Sequence, residues 1–160
     1  MDLILWRHAE AQDHPYGEEG AQGDPLDLER RLTPRGEKQA ARMAAWLDRQ
    51  LPDGARVYVS PAERARQTAH ALGRKLRVRD ELLPGADPAA VLALVGWPEG
   101  RGPVLVIGHQ PTLGQVIAQL LNLPEGECTM RKGSVWWLRQ RERNGRMQTV
   151  IVTVQTPELV

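Results

Sequence analysis

The run Pro103–Ile107 (PVLVI) is five residues long and wholly apolar. It is too short for a helix and does not alternate, so it reads as a strand covered on both faces. Such a strand needs helices on either side of its sheet, and the rest of the chain supplies them. Leu3–Trp6 and Val57–Val59 are further short apolar runs, and Leu76–Arg79 is a third strand candidate. Ala40, Met43, Ala44 and Leu47 recur at i, i+3, i+4 and i+7, behind Thr33 as a cap and Pro34 at the first helical position. Pro52 and Gly54 end that helix. Ser60-Pro61-Ala62-Glu63 has the form of a capping box ahead of the stripe Ala65, Ala69, Leu72. Pro88–Val95 reads as a short helix, and Leu113, Val116, Ile117, Leu120 and Leu121 form the stripe of another. Ser134–Arg139 and Thr149–Val154 read as a hairpin joined by a charged turn with Asn144-Gly145, a type I′ signal. The expected fold is a single three-layer α/β/α domain over residues 1–160, with a mainly parallel central sheet and an antiparallel edge.

The chain has 160 residues, 41% of them hydrophobic, with a net charge of +1, the balance of a soluble globular protein. Its one cysteine, Cys128, allows neither an intramolecular disulfide nor a cysteine-based zinc site, and nothing beside it lowers its pKa, so it reads as an apolar filler. The N-terminal apolar run is four residues, too short for a signal peptide or a membrane span, so a cytoplasmic protein without a membrane partner is expected. The near-zero net charge argues against a nucleic-acid partner, and the basic stretch Arg131–Arg146 fits a solvated hairpin. Residues 9–31 read as a long polar loop, in which seven acids and no Lys or Arg lie between Glu10 and Glu29.

Three apolar runs end in polar residues. Arg7-His8 follows LILW, Ser60 to Arg66 follows VYV, and Gly108-His109-Gln110-Pro111 follows PVLVI. Ligands of open α/β sheets bind outside the carboxyl ends of the strands, so the three junctions can converge on one pocket. Two histidines with at least two arginines suit a tetrahedral oxyanion, above all phosphate. Arg64 stands in the first turn of its helix, where the macrodipole disfavours a cation unless an anion binds there too. The plainer reading is a solvated arginine offset by Glu63. His14 and His70, the latter midway along a helix, read as structural hydrogen-bonding residues. A metal site of His8, His109 and Glu10 or Asp13 is conceivable, but no metal-binding spacing supports it. No Walker loop, GxGxxG or GxSxG motif is present.

These residues resemble the histidine phosphatase superfamily, founded on the cofactor-dependent phosphoglycerate mutases. Its Arg-His-Gly signature stands here as Arg7-His8-Ala9. Leu32-Thr33-Pro34-Arg35-Gly36 resembles its helix-opening segment. Ser60-Pro61 with Arg64, Gln67 and Thr68 resembles its second arginine motif, and Gly108-His109-Gln110-Pro111 its second histidine motif. The match spans about residues 1 to 122. The small size and the alanine at the third signature place resemble the SixA branch of phosphohistidine phosphatases.

The resemblance implies a phosphoglycerate mutase-like fold and a phosphatase without metal or cofactor. His8 would be the nucleophile and form a phosphohistidine intermediate. Arg7 and Arg64 would hold the phosphoryl oxygens, and His109 would donate a hydrogen bond to them. Phosphate, sulfate or vanadate would occupy the site. The substrate would be a protein phosphohistidine, with a small phosphorylated metabolite as the alternative and a non-catalytic phosphate-binding module as a third reading. Glu81 is the better candidate of the pair Asp80-Glu81 for a proton donor. The acidic segment is either a rim that meets a protein substrate or a mobile surface loop.

Overall fold

The computed structural model describes residues 1–160. Six strands form one sheet: β1 (Asp2–Arg7), β2 (Arg56–Val59), β3 (Arg77–Val78), β4 (Val104–Gly108), β5 (Val135–Arg143) and β6 (Arg146–Gln155). Their order is β3-β2-β4-β1-β5-β6. The first four strands in that order are parallel, and β5 and β6 run antiparallel at one side. The helices are α1 (Pro25–Leu28), α2 (Pro34–Gln50), α3 (Glu63–His70), α4 (Pro88–Val95) and α5 (Thr112–Leu121).

Alternation along the strands builds two cores, one on each face of the sheet. Ile4, Trp6, Val57, Val59, Leu105 and Ile107 face Met43, Ala44 and Leu47 of α2 and Ala65 and Ala69 of α3. Leu3, Leu5, Val104 and Val106 face Val91 and Val95 of α4 and Leu113, Val116 and Ile117 of α5. The three-layer α/β/α arrangement therefore stands as expected from the apolar runs. The adjacent tryptophans divide between the faces. Trp137 is buried with α2 and α3, and Trp136 packs half-buried on the other side.

The local signals hold in most places. Thr33 caps α2 by accepting from the Gly36 N–H at 3.0 Å, with Pro34 behind it. Asn144 (φ 52°) and Gly145 (φ 75°) both take left-handed backbone, as a type I′ turn requires. Gly36 is obligatory for a steric reason: a Cβ there would lie 1.9 Å from the Glu10 carbonyl oxygen.

Four expectations are corrected. The hairpin strands run out to Arg143 and begin at Arg146, because the ladder continues to the tight turn. The third strand shrinks to Arg77–Val78, since only Tyr58 and Val59 pair with it. Ser60 is not the cap of α3. The helix starts at Glu63 behind Ala62 with no side-chain cap, and the Ser60 hydroxyl instead bonds His109 and accepts from the Ala62 N–H. Residues 9–31 are not a bare loop. They hold a 3-10 turn (Gly17–Glu19) and α1, opened by Asp24 as cap with Pro25 behind it, and Ala11 bridges to Leu32.

Candidate active site

Parallel pairing of β1, β2 and β4 puts their carboxyl ends at one edge of the sheet. The three polar junctions meet there around a cavity of about 200 Å³ lined by Arg7, His8, Arg64 and His109, with Arg30 and Lys132 beside them. A wider groove, about 550 Å³, runs along α2, α3 and β3 and contains neither His8 nor His109.

His8 continues β1 by one backbone bond, its N–H donating to the Gly108 carbonyl at 3.1 Å. Its Nδ1 lies 2.8 Å from the Ala9 carbonyl oxygen. A carbonyl only accepts, so Nδ1 carries the proton and Nε2 keeps a free lone pair. The residue is 7% exposed. Burial is the main cause that pushes its pKa down to about 3. The Arg64, Arg7 and Arg30 charges act in the same direction, and the bond to Ala9 opposes them.

His109 packs beside it, with ring centroids 5.1 Å apart. Burial first, then His8 and the charges of Arg64, Arg30 and Arg7, push its pKa down to about 2. Its Nε2 is 2.8 Å from Ser60 Oγ, which also accepts from the Ala62 N–H. If the Ser60 hydroxyl donates to Nε2, the His109 proton sits on Nδ1. That atom is buried and has no partner in the protein.

Arg7 donates from Nη1 to the Met130 carbonyl at 2.7 Å, and its Nε is buried without a partner. Arg64 is 2% exposed, which removes the reading of a solvated arginine. Its counter-charge is not Glu63, which pairs with Arg31 at 3.3 Å, but Asp27. Arg64 Nη1 donates to the Asp27 carbonyl at 2.7 Å and Nη2 to Asp27 Oδ2 at 3.2 Å, leaving Nε unpartnered. Three buried nitrogens without partners thus belong to the residues that surround His8. Buried donors in proteins are normally satisfied, so such a cluster of unpartnered nitrogens is chemically suited to an anionic acceptor.

The neighbouring motif residues build the frame. Thr68 Oγ1 accepts from the Ala9 N–H at 3.0 Å and donates to the Arg64 carbonyl. Gln67 accepts from the Leu32 N–H at 2.7 Å. Gln110 fastens the turn after β4, accepting from Gly114 and donating to the Cys128 carbonyl. Cys128 is half-buried, and burial raises its pKa, in keeping with an inert filler.

Other candidates fall elsewhere. Glu81 is exposed in a 3-10 turn (Asp80–Leu82) and does not line the cavity, whereas Asp13 does. Glu10 accepts from the Thr33 hydroxyl at 2.9 Å, and no group of three or more His, Cys, Asp and Glu side chains is placed to hold a metal ion. His14 bonds Asp24 at 3.0 Å, the structural role expected of it. His70 is exposed at the last position of α3, not midway along it. Sequence reasoning missed Arg30 and Asp27. The legible signal was Asp24-Pro25, a cap followed by proline at the first helical position, which announces the turn that carries them.

The sequence model of the histidine phosphatase superfamily (branch 1) matches residues 3–86. The chain is 34% identical over 128 residues to the phosphohistidine phosphatase SixA of Escherichia coli (strain K12), covering 75% of this chain and 74% of that one. It is 29% identical over 135 residues to a SixA homologue of Haemophilus influenzae, covering 75% and 77%. Among solved structures, the protein histidine phosphatase SixA complexed with tungstate superposes with a TM-score of 0.72 at 28% identity, covering 98% of this chain and 97% of that one.

Proposed function

The chain belongs to the histidine phosphatase superfamily and is a phosphatase, and on that premise we propose that His8 is its nucleophile and protein phosphohistidine its substrate. The observation that carries this is the arrangement around His8. One ring nitrogen is tied to a carbonyl, the other is free, and Arg7, Arg64 and His109 each keep a buried nitrogen without a partner. The likeness to SixA, a phosphohistidine phosphatase, supports the substrate class.

The cavity binds the phosphoryl group through the guanidinium groups of Arg7 and Arg64 and the His109 Nδ1–H. Phosphate, sulfate and vanadate are its simple ligands. His8 Nε2 attacks phosphorus in line with the leaving nitrogen. The P–N bond of the substrate breaks, a P–Nε2 bond forms, and a protonated phosphohistidine departs as neutral imidazole. Water then attacks the phosphorus, the P–Nε2 bond breaks, and neutral His8 and inorganic phosphate are released. Phosphoryl transfer relies on positioning and charge stabilisation, which fixed cationic donors supply without a metal or cofactor. The low pKa of His8 keeps Nε2 nucleophilic at neutral pH. A leaving imidazole that is already protonated needs no separate acid, so the proposed step does not depend on Glu81, which lies outside the cavity.

The test is hydrolysis of a phosphohistidine-bearing carrier protein beside p-nitrophenyl phosphate, both in EDTA. Fast loss of protein phosphohistidine, slow ester cleavage and a 32P label trapped on wild-type but not on His8→Ala are expected. Turnover retained by His8→Ala would end the nucleophile assignment. Preference for the ester would move the substrate to a small phosphorylated metabolite, and binding of vanadate without hydrolysis would leave a phosphate-binding module.

A further inference from the structure

We infer that Asp27 is the positioning residue of the cavity: its carboxylate and main-chain carbonyl orient Arg64 and Arg30, and the acidic segment exists to hold it there. The inference rests on the phosphoryl-binding role proposed for Arg64.

Asp27 differs from its acidic neighbours. Asp13, Glu18, Glu19 and Glu29 are exposed, whereas Asp27 is 3% exposed. A buried carboxylate is costly unless every oxygen is satisfied. Here one oxygen accepts from the Gly23 N–H at 2.8 Å and from Arg64 Nη2 at 3.2 Å, and the other accepts from Arg30 Nε at 2.9 Å. The Asp27 carbonyl takes Arg64 Nη1 at 2.7 Å. Both terminal nitrogens of Arg64 are therefore turned to one residue, and its Nε is the atom left over. Asp27 also stands between two cations that line the same cavity and repel each other.

The carboxylate is itself braced. The Asp27 N–H donates to Asp24 Oδ1 at 2.7 Å, and Asp24 is held by His14 Nε2 at 3.0 Å. Arg30 in turn reaches the Gln12 carbonyl from Nη1 at 2.8 Å. A line of contacts thus runs from the outer loop through α1 to the cavity. Burial raises the pKa of Asp27, but the Gly23 N–H and the two arginines outweigh it and keep the carboxylate charged. Arginine side chains are long, and one fixed in advance stabilises a transition state without reorganising when charge develops. Asp27 touches no reacting atom in this arrangement. It acts through Arg64.

The experiment is a double-mutant cycle, with phosphate release from a phosphohistidine-bearing carrier protein as the readout and kcat and KM measured separately. Asp27→Asn keeps the shape and the main-chain carbonyl and removes the charge. It is expected to lower kcat about tenfold or more in the wild-type background, and about threefold or less in the Arg64→Ala background. Equal factors in both backgrounds, or wild-type kcat in Asp27→Asn, would overturn the inference while leaving the role of Arg64 intact. Wild-type turnover in Arg64→Ala would instead overturn the phosphoryl-binding assignment. Should Asp27→Asn not fold, Asp27→Glu, which keeps the charge but moves it by one methylene, takes its place in the same cycle with the same criteria.

Discussion

Acidification should destabilise this protein through the two histidines of the cavity. Burial, aided by neighbouring arginines, pushes His8 down to about 3 and His109 to about 2. In the unfolded chain a histidine titrates near its ordinary value of about 6.5. Between those values the unfolded chain takes up a proton that the folded chain refuses, so stability falls as pH falls. The contribution is intact above the unfolded value and is lost progressively below it. From pH 7 to pH 5 the loss per histidine is about 2 kcal/mol, because the folded ring stays neutral while the unfolded one becomes almost fully charged. The two rings together cost roughly 4 kcal/mol, a large share of a total stability of about 5–15 kcal/mol. Asp24 and Asp27 titrate below their ordinary values, so their contributions disappear only in stronger acid. Urea unfolding followed by tryptophan fluorescence at pH 7, 6 and 5 measures the slope, and His8→Gln supplies the control. Its loss over the same interval should be smaller than that of wild-type by about 2 kcal/mol. A wild-type stability constant to within about 0.5 kcal/mol, or an equal loss in His8→Gln, would refute a buried neutral His8.

On the proposed roles, Arg7→Ala and Arg64→Ala each remove a charged donor to the developing phosphoryl charge and should lower kcat/KM by about 10²-fold or more, which steady-state kinetics on the carrier protein measures. Ser60→Ala removes the partner of His109 Nε2, leaves that ring without a protein bond on either nitrogen and should cost about 1–3 kcal/mol in urea unfolding. Gly36→Ala sets a methyl group against the Glu10 carbonyl and should destabilise by about 1–3 kcal/mol or more, with the loss visible in the thermal midpoint. Incubation with EDTA should leave turnover unchanged, since the cavity supplies its positive charge from arginines.

Much of the fold was legible because the signals are local. An apolar run such as Val104–Ile107 is buried on both faces wherever it lies in such a sheet. Thr33 with Pro34, and Asn144 with Gly145, act through the backbone within a few residues of themselves. The polar residues after three strands were legible for a different reason. Parallel strands must end on one edge, so Arg7, His8, Arg64 and His109 had to approach one another. Signals that compete at one place were misread. Ser60 had the sequence of a cap, but the tertiary structure gave its hydroxyl to a ring 49 residues away.

The amino-acid sequence alone therefore determined the layers, the hairpin turn and the residue types at the strand ends, since periodicity and backbone preference need no knowledge of distant neighbours. Only the tertiary structure decided which charges are paired. Arg64 is buried against Asp27, 37 residues earlier in the chain, and not against the adjacent Glu63. It also decided that Arg30 joins the cavity and that Glu81 stays outside it. Pairing depends on which side chains are desolvated together, and that is settled only when α1 folds back against Arg64 at the start of α3.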